Sequence, residues 1–485
     1  MTTGYQFQTE PDEYQRRVFD ETWDKRSHAL FLEMGLGKTK IIIDTCCALH
    51  EAGKVGALLV ICPKGVLHTW VTQEIPRHLP ARIPITLACW RPSPNKSEAE
   101  ALAEVSSPNP LVLSILVMNY DALATPKGQA AADAFVKAHD KQGVFLALDE
   151  STAVKNPSAQ RTKALLKLAR RCAYRRIATG APITRAPLDL WAQMAMIEDE
   201  PFGSKSFYTF RARYAVVQKR IGQGRQFNQV VGYRNLDELQ GKLQGSSTRL
   251  LKADCLDLPS KVYLRRDVEL TPEQQRLYAQ VKRSAIAEIE GERLTAPLIV
   301  TRILRLHQIA CGIFRPDDTE AVVMLPSRRL DALREIVDEA QGKVIVWANY
   351  RPNIHAIEEA LKKDHGPRSV VTYYGSPPFA DRQHAVEQFQ DPTSPVRFFV
   401  AHPKTGGSGL TLTQGTTVVY FSNTHDLDLR AQSEDRSHRR GQDQSVTYVD
   451  LVAPGTVDEV ILQSLRDKID LSVACLGDHW KEWVV

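Results

Sequence analysis

The sequence predicts an α/β protein with two parallel-sheet lobes and a helical insertion between them, on three observations. Strand-length apolar runs recur at residues 29–33, 57–62, 85–90, 111–118, 144–149 and 174–179, with helix-length segments between several of them. Strands buried on both faces of a parallel sheet need such unbroken runs. A second set begins near Lys343, at residues 343–348, 369–373, 396–401, 417–422 and 446–451. Between the sets, from about Phe202 to Lys282, Arg, Lys, Gln and Tyr recur with helical periodicity and few strand runs. The expected domains are a first lobe at 1–200, a helical insertion and connector at 201–325, and a second lobe at 326–485. A chain of 485 residues is long for a single core, which agrees with this division.

The first run breaks into Gly35-Leu36-Gly37-Lys38-Thr39. Side chains at Gly35 and Gly37 would keep backbone N–H groups from closing around a polyphosphate, while Lys38 adds a point charge and Thr39 a hydroxyl for Mg²⁺. The full loop pattern wants glycine five residues before Gly37, where Leu32 stands, so a Gly-rich turn capping a strand is the competing reading. An acid at the end of a later buried strand decides between them, and the run at 144–148 ends in Asp149-Glu150. Asp149 is expected to hold Mg²⁺ and Glu150 to orient and deprotonate an attacking water, with ATP or GTP as the nucleotide.

The second set has no such loop. It ends in a segment from Gln432 to Gln442 in which Arg436 and Arg439 lie three apart, on one face if the segment is a helix. Such a face could reach the γ-phosphate held by the first sheet as arginine fingers; without an ATP site it would be a surface basic helix.

Composition bounds the rest. With 43% hydrophobic and 25% charged residues the chain is of the ordinary globular class, and no apolar stretch reaches spanning length. The N-terminus, rich in Gln, Glu and Asp, has no signal-peptide pattern, so no membrane association and a cytoplasmic location are expected. The eight cysteines form no CxxC pair and read as small core residues in a reducing compartment. His68 and His78 lack a spaced second cluster for zinc. A formal charge of +5 permits nucleic-acid binding without requiring it.

These motifs together resemble the SNF2 family of superfamily 2 helicase-like ATPases, in the family's order and over nearly the whole chain. Tyr14-Gln15, with Trp23 downstream, is similar to the adenine-reading Q motif, and residues 33–39 match the family's EMGLGKT. Cys62-Pro63-Lys64 with Trp70 resembles motif Ia, Asn119-Tyr120 motif Ib, Asp149-Glu150-Ser151-Thr152 the DExx box, and Thr179-Gly180-Ala181-Pro182-Ile183 motif III, where Arg185 replaces the usual asparagine. Arg249, Lys252, Leu258-Pro259 and Lys261 resemble the family's connection between its halves. The stretch from Lys404 to Leu410 resembles motif V, with Thr405 and Thr411 where Ala and Asn are usual; Gln432, Arg436, His438, Arg439, Gly441 and Gln442 match motif VI.

The resemblance implies two RecA-like lobes, ATP bound by Gln15, Gly35, Leu36, Gly37, Lys38 and Thr39, and Mg²⁺ held by Thr39 and Asp149. Lys38, Asp149, Glu150, Arg436 and Arg439 would be catalytic. It also implies double-stranded DNA as the track, with contacts expected from Lys64, Asn119 and Tyr120 in the first lobe and Arg382, Thr405 and Gly406 in the second. A DNA translocase that moves or displaces bound proteins is the expectation. A strand-separating helicase and an ATP-gated clamp with little turnover are the alternatives. The two-lobe core is expected to leave no room for an appended reader or nuclease, and the form resembles compact bacterial or bacteriophage members, monomeric and with a protein partner for targeting; a eukaryotic member would be nuclear. The basic middle (Lys205, Arg211, Arg213, Lys219, Arg220, Arg225 and Arg234 among Phe207, Tyr208, Phe210 and Tyr214) has two readings. It either follows duplex phosphates or is an amphipathic helical pair with core aromatics and solvated arginines. Trp480 and Trp483 are expected to pack against the second lobe.

Overall fold

Apolar runs buried on both faces become the central strands of two parallel sheets in this computed structural model, which describes residues 4–222, 225–290, 296–315, 322–406 and 410–476. The chain divides into two units. Among the described residues, one holds those up to Gln218, Val230–Leu256 and Leu471–Leu476, and the other holds Lys219–Gln229 and Asp257–Asp470.

The first unit is built on strands β1 (Ser27–Leu32), β2 (Ala57–Cys62), β3 (Ile85–Cys89), β4 (Leu113–Asn119), β5 (Val144–Asp149) and β6 (Tyr174–Ala178). Every residue of β2 and β5 is buried, as the unbroken runs require. Pleating sends Ala29 and Phe31 of β1 into one core and Leu30 and Leu32 into the other, so each sheet face has its own apolar layer. Helices Lys38–Glu51, Pro126–Ala138 and Gln160–Ala169 are among the crossovers.

The middle of the chain is richer in strand than its helical periodicity suggests. After helix Phe207–Tyr214 come β7 (Ala215–Gly222) and β8 (Arg225–Tyr233), which among the described residues pair only with each other, then helix Leu236–Gln244, β9 (Ser247–Leu250) and β10 (Lys261–Asp267). β9 joins the first sheet beside β1, giving the order β3-β4-β2-β5-β6-β1-β9. Residues 201–325 are thus divided between the two units. Long polar side chains mask the alternation of these strands: β9 is half-buried throughout and β10 mostly exposed.

In the second unit, helices Pro272–Glu290 and Ala296–Ala310 and the short pair β11 (Ile313–Phe314) and β12 (Val323–Met324) precede β13 (Lys343–Trp347), β14 (Val370–Tyr373), β15 (Phe398–Ala401), β16 (Gly415–Tyr420) and β17 (Val446–Val452). The sheet order is β10-β17-β16-β13-β15-β14, parallel throughout, with an apolar core on each face. Six of the eight cysteines are buried as small core residues. Among the described residues no helix is long and apolar enough to cross a membrane. Gly407, Ser408 and Gly409 of the motif V stretch, with Trp480 and Trp483, lie outside the described residues.

Candidate nucleotide site and the arginine turn

Parallel pairing puts the carboxyl ends of β1, β6 and β5 side by side. Leu30 pairs with Ala178 and Ala178 with Asp149, so the loop after β1 and the acid ending β5 flank the end of β6. Open α/β sheets bind ligands at such strand ends.

The loop is glycine-dependent for a geometric reason. Gly35 and Gly37 have φ of 82° and 77°, in the left-handed region that L side chains avoid. A Cβ at Gly37 would also collide with the Gln15 carboxamide, whose Nε2 donates to Leu36 O at 3.2 Å. Gln15 is itself fixed where helix Glu13–Thr22 begins, its Oε1 accepting from Asp12 N at 3.1 Å in a capping box. Helix Lys38–Glu51 starts directly after Gly37, so the N–H groups of its first turn open toward the loop. Lys38 is buried and donates to Leu32 O at 3.0 Å and Glu33 O at 3.4 Å; Thr39 is half-buried beside it.

Asp149 is 8% exposed, and its Oδ2 accepts from Trp70 Nε1 at 2.8 Å. Burial first, and then the charge of Glu150, push its carboxyl up to about 6 against the opposing pull of the Trp70 bond and of Lys38. A buried carboxyl held above its ordinary range beside a second acid fits a divalent cation, which would relieve both causes. Among the described residues no group of three His, Cys, Asp or Glu side chains could hold a metal, so further ligands would come from phosphate and water. Glu150 sits at φ 53° and ψ 60°, left-handed for a non-glycine residue, and its Oε2 accepts from Thr179 Oγ1 at 3.0 Å.

Sequence reasoning missed several supports. Thr179 reaches Glu150 because β6 lies next to β5, a register that spacing alone does not reveal. Arg249 donates to Phe31 O at 3.0 Å and Gly180 O at 2.9 Å, while Glu33 accepts from Lys252 N at 2.6 Å, so β9 braces both the loop and the end of β6. Asp189 gathers Thr184 N, Arg185 N and Ala186 N on one carboxylate oxygen, which leaves the Arg185 side chain exposed.

Two expectations need correction. Tyr120 is 3% exposed and its hydroxyl donates to Asp149 O at 2.8 Å, so its ring is unavailable to DNA and instead supports the acid. Arg436 and Arg439 do not share a helix face: helix Leu427–Glu434 ends before them. Leu412 N takes the Arg436 carbonyl at 2.8 Å, which removes the acceptor a continued helix would need. The turn still brings the two guanidiniums together, since both donate to Leu410 O at 3.1 Å.

That turn rests on buried charge. Arg430, from the preceding helix, holds Glu434 at 2.7 Å and both oxygens of Asp450 at 2.5 and 3.1 Å, and lies 3.5 Å over the Tyr420 ring. Burial opposes its charge, but Asp450, Tyr420 and Glu434 outweigh burial and raise its pKa well above the ordinary value. Tyr263 of β10 donates to Glu434 at 2.8 Å and His438 bonds Pro259 O at 2.7 Å, so motif VI is tied to the edge strand and the segment before it.

The remaining expected DNA residues are spread out. Lys64 is exposed on the turn Lys64–Val66 after β2, and Asn119 caps the next turn by accepting from Ala122 N at 2.8 Å. Arg382 lies 5.5 Å over the Tyr373 ring, and Thr405 and Gly406 sit in the short helix Pro403–Gly406 after β15. In the basic middle, Phe210 and Tyr214 are buried at 1% exposure and Phe207 packs on the same core, while Arg213 pairs with Glu238 at 2.5 Å. The helical part of that segment is therefore structural.

The SNF2-related domain model matches residues 14–312, and the helicase conserved C-terminal domain model matches residues 328–441. The DNA annealing helicase and endonuclease ZRANB3 of Mus musculus is 26% identical over 455 residues, covering 92% of this chain and 38% of that protein. An uncharacterized ATP-dependent helicase of Mycoplasma pneumoniae is 25% identical over 446 residues, covering 90% of this chain and 39% of that protein. The chain thus spans about two fifths of the length of these relatives. The solved Sulfolobus solfataricus SWI2/SNF2 ATPase core in complex with dsDNA is 23% identical, with a TM-score of 0.44 over 98% of this chain and 96% of that one. With more than half its length matched by one family model, and the phosphate loop, acid pair and arginine turn built as described, the chain belongs to the SNF2-related family of helicase-like ATPases.

Proposed function

We propose that the chain hydrolyses ATP to move along double-stranded DNA, displacing or repositioning proteins bound there. The observation that carries this reading is the convergence of Lys38, Asp149 and Glu150 at the ends of neighbouring strands, with Thr179 bonded to Glu150. Gln15 and the loop from Gly35 to Thr39 bind the nucleotide, and Lys38 exchanges its carbonyl partners for phosphate oxygens. Mg²⁺, held by the Thr39 hydroxyl and the Asp149 carboxylate, would neutralise charge on the phosphates. Glu150, oriented by Thr179, takes a proton from the water whose oxygen attacks the γ-phosphorus as the bond to ADP breaks. Arg436 and Arg439 stabilise the charge that develops on the transferred group. Because Thr179 begins the Thr179–Ile183 segment, a change at Glu150 is passed to the loop that Asp189 gathers. Lys64 and Asn119 in the first lobe, and Arg382, Thr405 and Gly406 in the second, are assigned to the DNA backbone. Targeting by a protein partner and a monomeric core complete the reading.

The test is steady-state ATP turnover with no nucleic acid, single-stranded DNA, duplex DNA and duplex RNA at one fixed salt concentration. Stimulation by duplex DNA above the other polymers is expected. Preference for single strands would replace the translocase with a strand-separating helicase, and no turnover on any polymer would mean a clamp or a missing activating partner.

A further inference from the structure

We infer that the exposed face of helix Gln160–Ala169 in the first lobe is a contact for the phosphate backbone of duplex DNA, separate from the motif residues assigned above; this rests on the DNA-motor reading. Residues 151–188 contain nine lysines and arginines and no acid, where the chain's overall frequency of 57 acidic residues in 485 would give about four. Five of the nine are occupied within the lobe. Arg176 is buried and donates to Thr22 O and Lys25 O at 2.6 and 2.8 Å, Arg175 donates to Ser27 Oγ at 3.2 Å, and Lys155 to Thr184 Oγ1 at 2.5 Å. Arg161 and Arg171 pair with Asp121 and Asp133 at 3.3 and 3.1 Å. Lys163, Lys167 and Arg170 are exposed, and among the described residues none of the three has an ion pair.

These three stand at i, i+4 and i+7, on one face of a helix whose other face carries Leu165, Leu168 and Ala169 into the core with Phe135 and Val136. The charged face is arranged against the helix's own stability. Lys163 and Lys167 are like charges four apart, as are Lys167 and Arg171, and such pairs repel. The first turn holds Arg161 and Lys163 and no acid, although a helix N-terminus favours the opposite sign. The helix dipole accounts for Lys167 in the last turn but not for Lys163. A solvated helix face ordinarily mixes the two signs in pairs that attract. A polyanion laid along this face turns each repulsion into a gain, and a duplex, with one charge per about 1.7 Å of axis, meets all three cations at once.

The helix is the crossover between β5 and β6, so it runs back along the sheet, away from the end where Asp149 and Glu150 stand. Its stripe of about 10 Å therefore lies over one sheet face, whereas Lys64 and Asn119 stand at the carboxyl ends of β2 and β4. A helix face of lysine and arginine on a packed core suits backbone contact, which positions a duplex without reading its sequence. The helix carries no aromatic residue on which the bases of a single strand could stack, and this favours the duplex over the separated strand.

The experiment compares the full chain with K163A/K167A/R170A and with the control K54A/K96A, whose lysines are exposed in the same lobe and lie near Glu51 and Glu98 in sequence. Affinity for a fluorescent 30-base-pair duplex, for the matching single strand and for polyglutamate is measured from about 50 to 300 mM salt, with melting curves as a check on folding. In K163A/K167A/R170A the slope of log affinity against log salt should fall by about 2 to 3 and duplex affinity at the lowest salt by more than about tenfold, with the control unchanged. The melting temperature should hold or rise, because alanine removes the repulsion and suits a helix. An unchanged slope, an equal loss in the control, or a loss confined to the single strand would overturn the assignment, and a loss confined to polyglutamate would give the face to an acidic protein instead. Failure of the DNA-motor reading gives a different result, in which the unaltered chain binds no duplex at all and the assignment falls with it.

Discussion

The first lobe gathers Lys38, Asp149 and Glu150 at neighbouring strand ends, whereas the second sets Arg436 and Arg439 on a turn beyond a helix that buried charge holds in place. Each lobe starts from a parallel sheet of its own. In the first, left-handed glycines and exposed N–H groups create the cradle, so the backbone is the binding surface and side chains tune it. In the second, the arginines stand on the turn that follows helix Leu427–Glu434. Their position is inherited from Arg430, Glu434 and Asp450, which cannot leave each other without leaving a charge unpaired in the interior. A phosphate loop therefore tolerates little change in its own residues, while an arginine turn is vulnerable at residues that touch no substrate.

The largest expected effects come from removing one group from each lobe. Arg439→Ala should slow ATP turnover by about 10³ to 10⁵, and Glu150→Gln by about 10² to 10⁴, both with ATP binding retained. Single-turnover kinetics beside nucleotide-binding titration separate the two quantities. If Arg439→Ala instead reduced only DNA affinity, the arginine would belong to the track contacts and the proposed division of labour would fail.

Next in size is Arg430→Met, which strands Asp450 and Glu434 in the interior. A loss of about 3 to 5 kcal/mol is expected. It should appear in calorimetry as destabilisation of the second lobe alone, and a uniform shift of both lobes would contradict the local role given to this network.

Asp149→Asn sharpens the contrast from the other side. Because the folded carboxyl is held at about 6, above its ordinary value near 4, the folded chain binds this proton more readily than the unfolded one. The group therefore favours folding at low pH. That contribution is lost as pH rises from about 4 through 6, leaving a cost on the order of 3 kcal/mol at pH 8. Asparagine can keep the acceptor for Trp70 Nε1 while removing the charge, so the variant should melt higher than the parent at pH 8 in metal-free buffer and equally at pH 4. It should also be inactive. Equal melting at both pH values would mean that Asp149 is not strained by burial.

The central strands were legible because they are buried on both faces: the runs at 57–62 and 144–149 coincide with β2 and β5. Edge strands carry no such signal. β9 and β10 pair on one side only and carry Ser, Thr, Lys and Arg, so that stretch reads as a helical insertion although it forms strands. Within the site, the glycine loop and acid pair are local in sequence and could be read directly. Thr179, Arg249 and Lys252 depend on which strands become neighbours, and that information lies in the sheet order. The helical reading of Arg436 and Arg439 overlooked an acceptor claimed by Leu412, a residue more than twenty positions away.

The backbone at Glu150 has a consequence for how this enzyme can change. A left-handed conformation costs an ordinary residue on the order of 1 to 2 kcal/mol, and glycine or asparagine would adopt it more cheaply. Selection for thermal endurance alone would push this position toward those residues, and each step would discard the carboxylate. Stability and turnover thus pull in opposite directions at one residue, and any lineage that stops needing hydrolysis has a downhill path beginning at position 150.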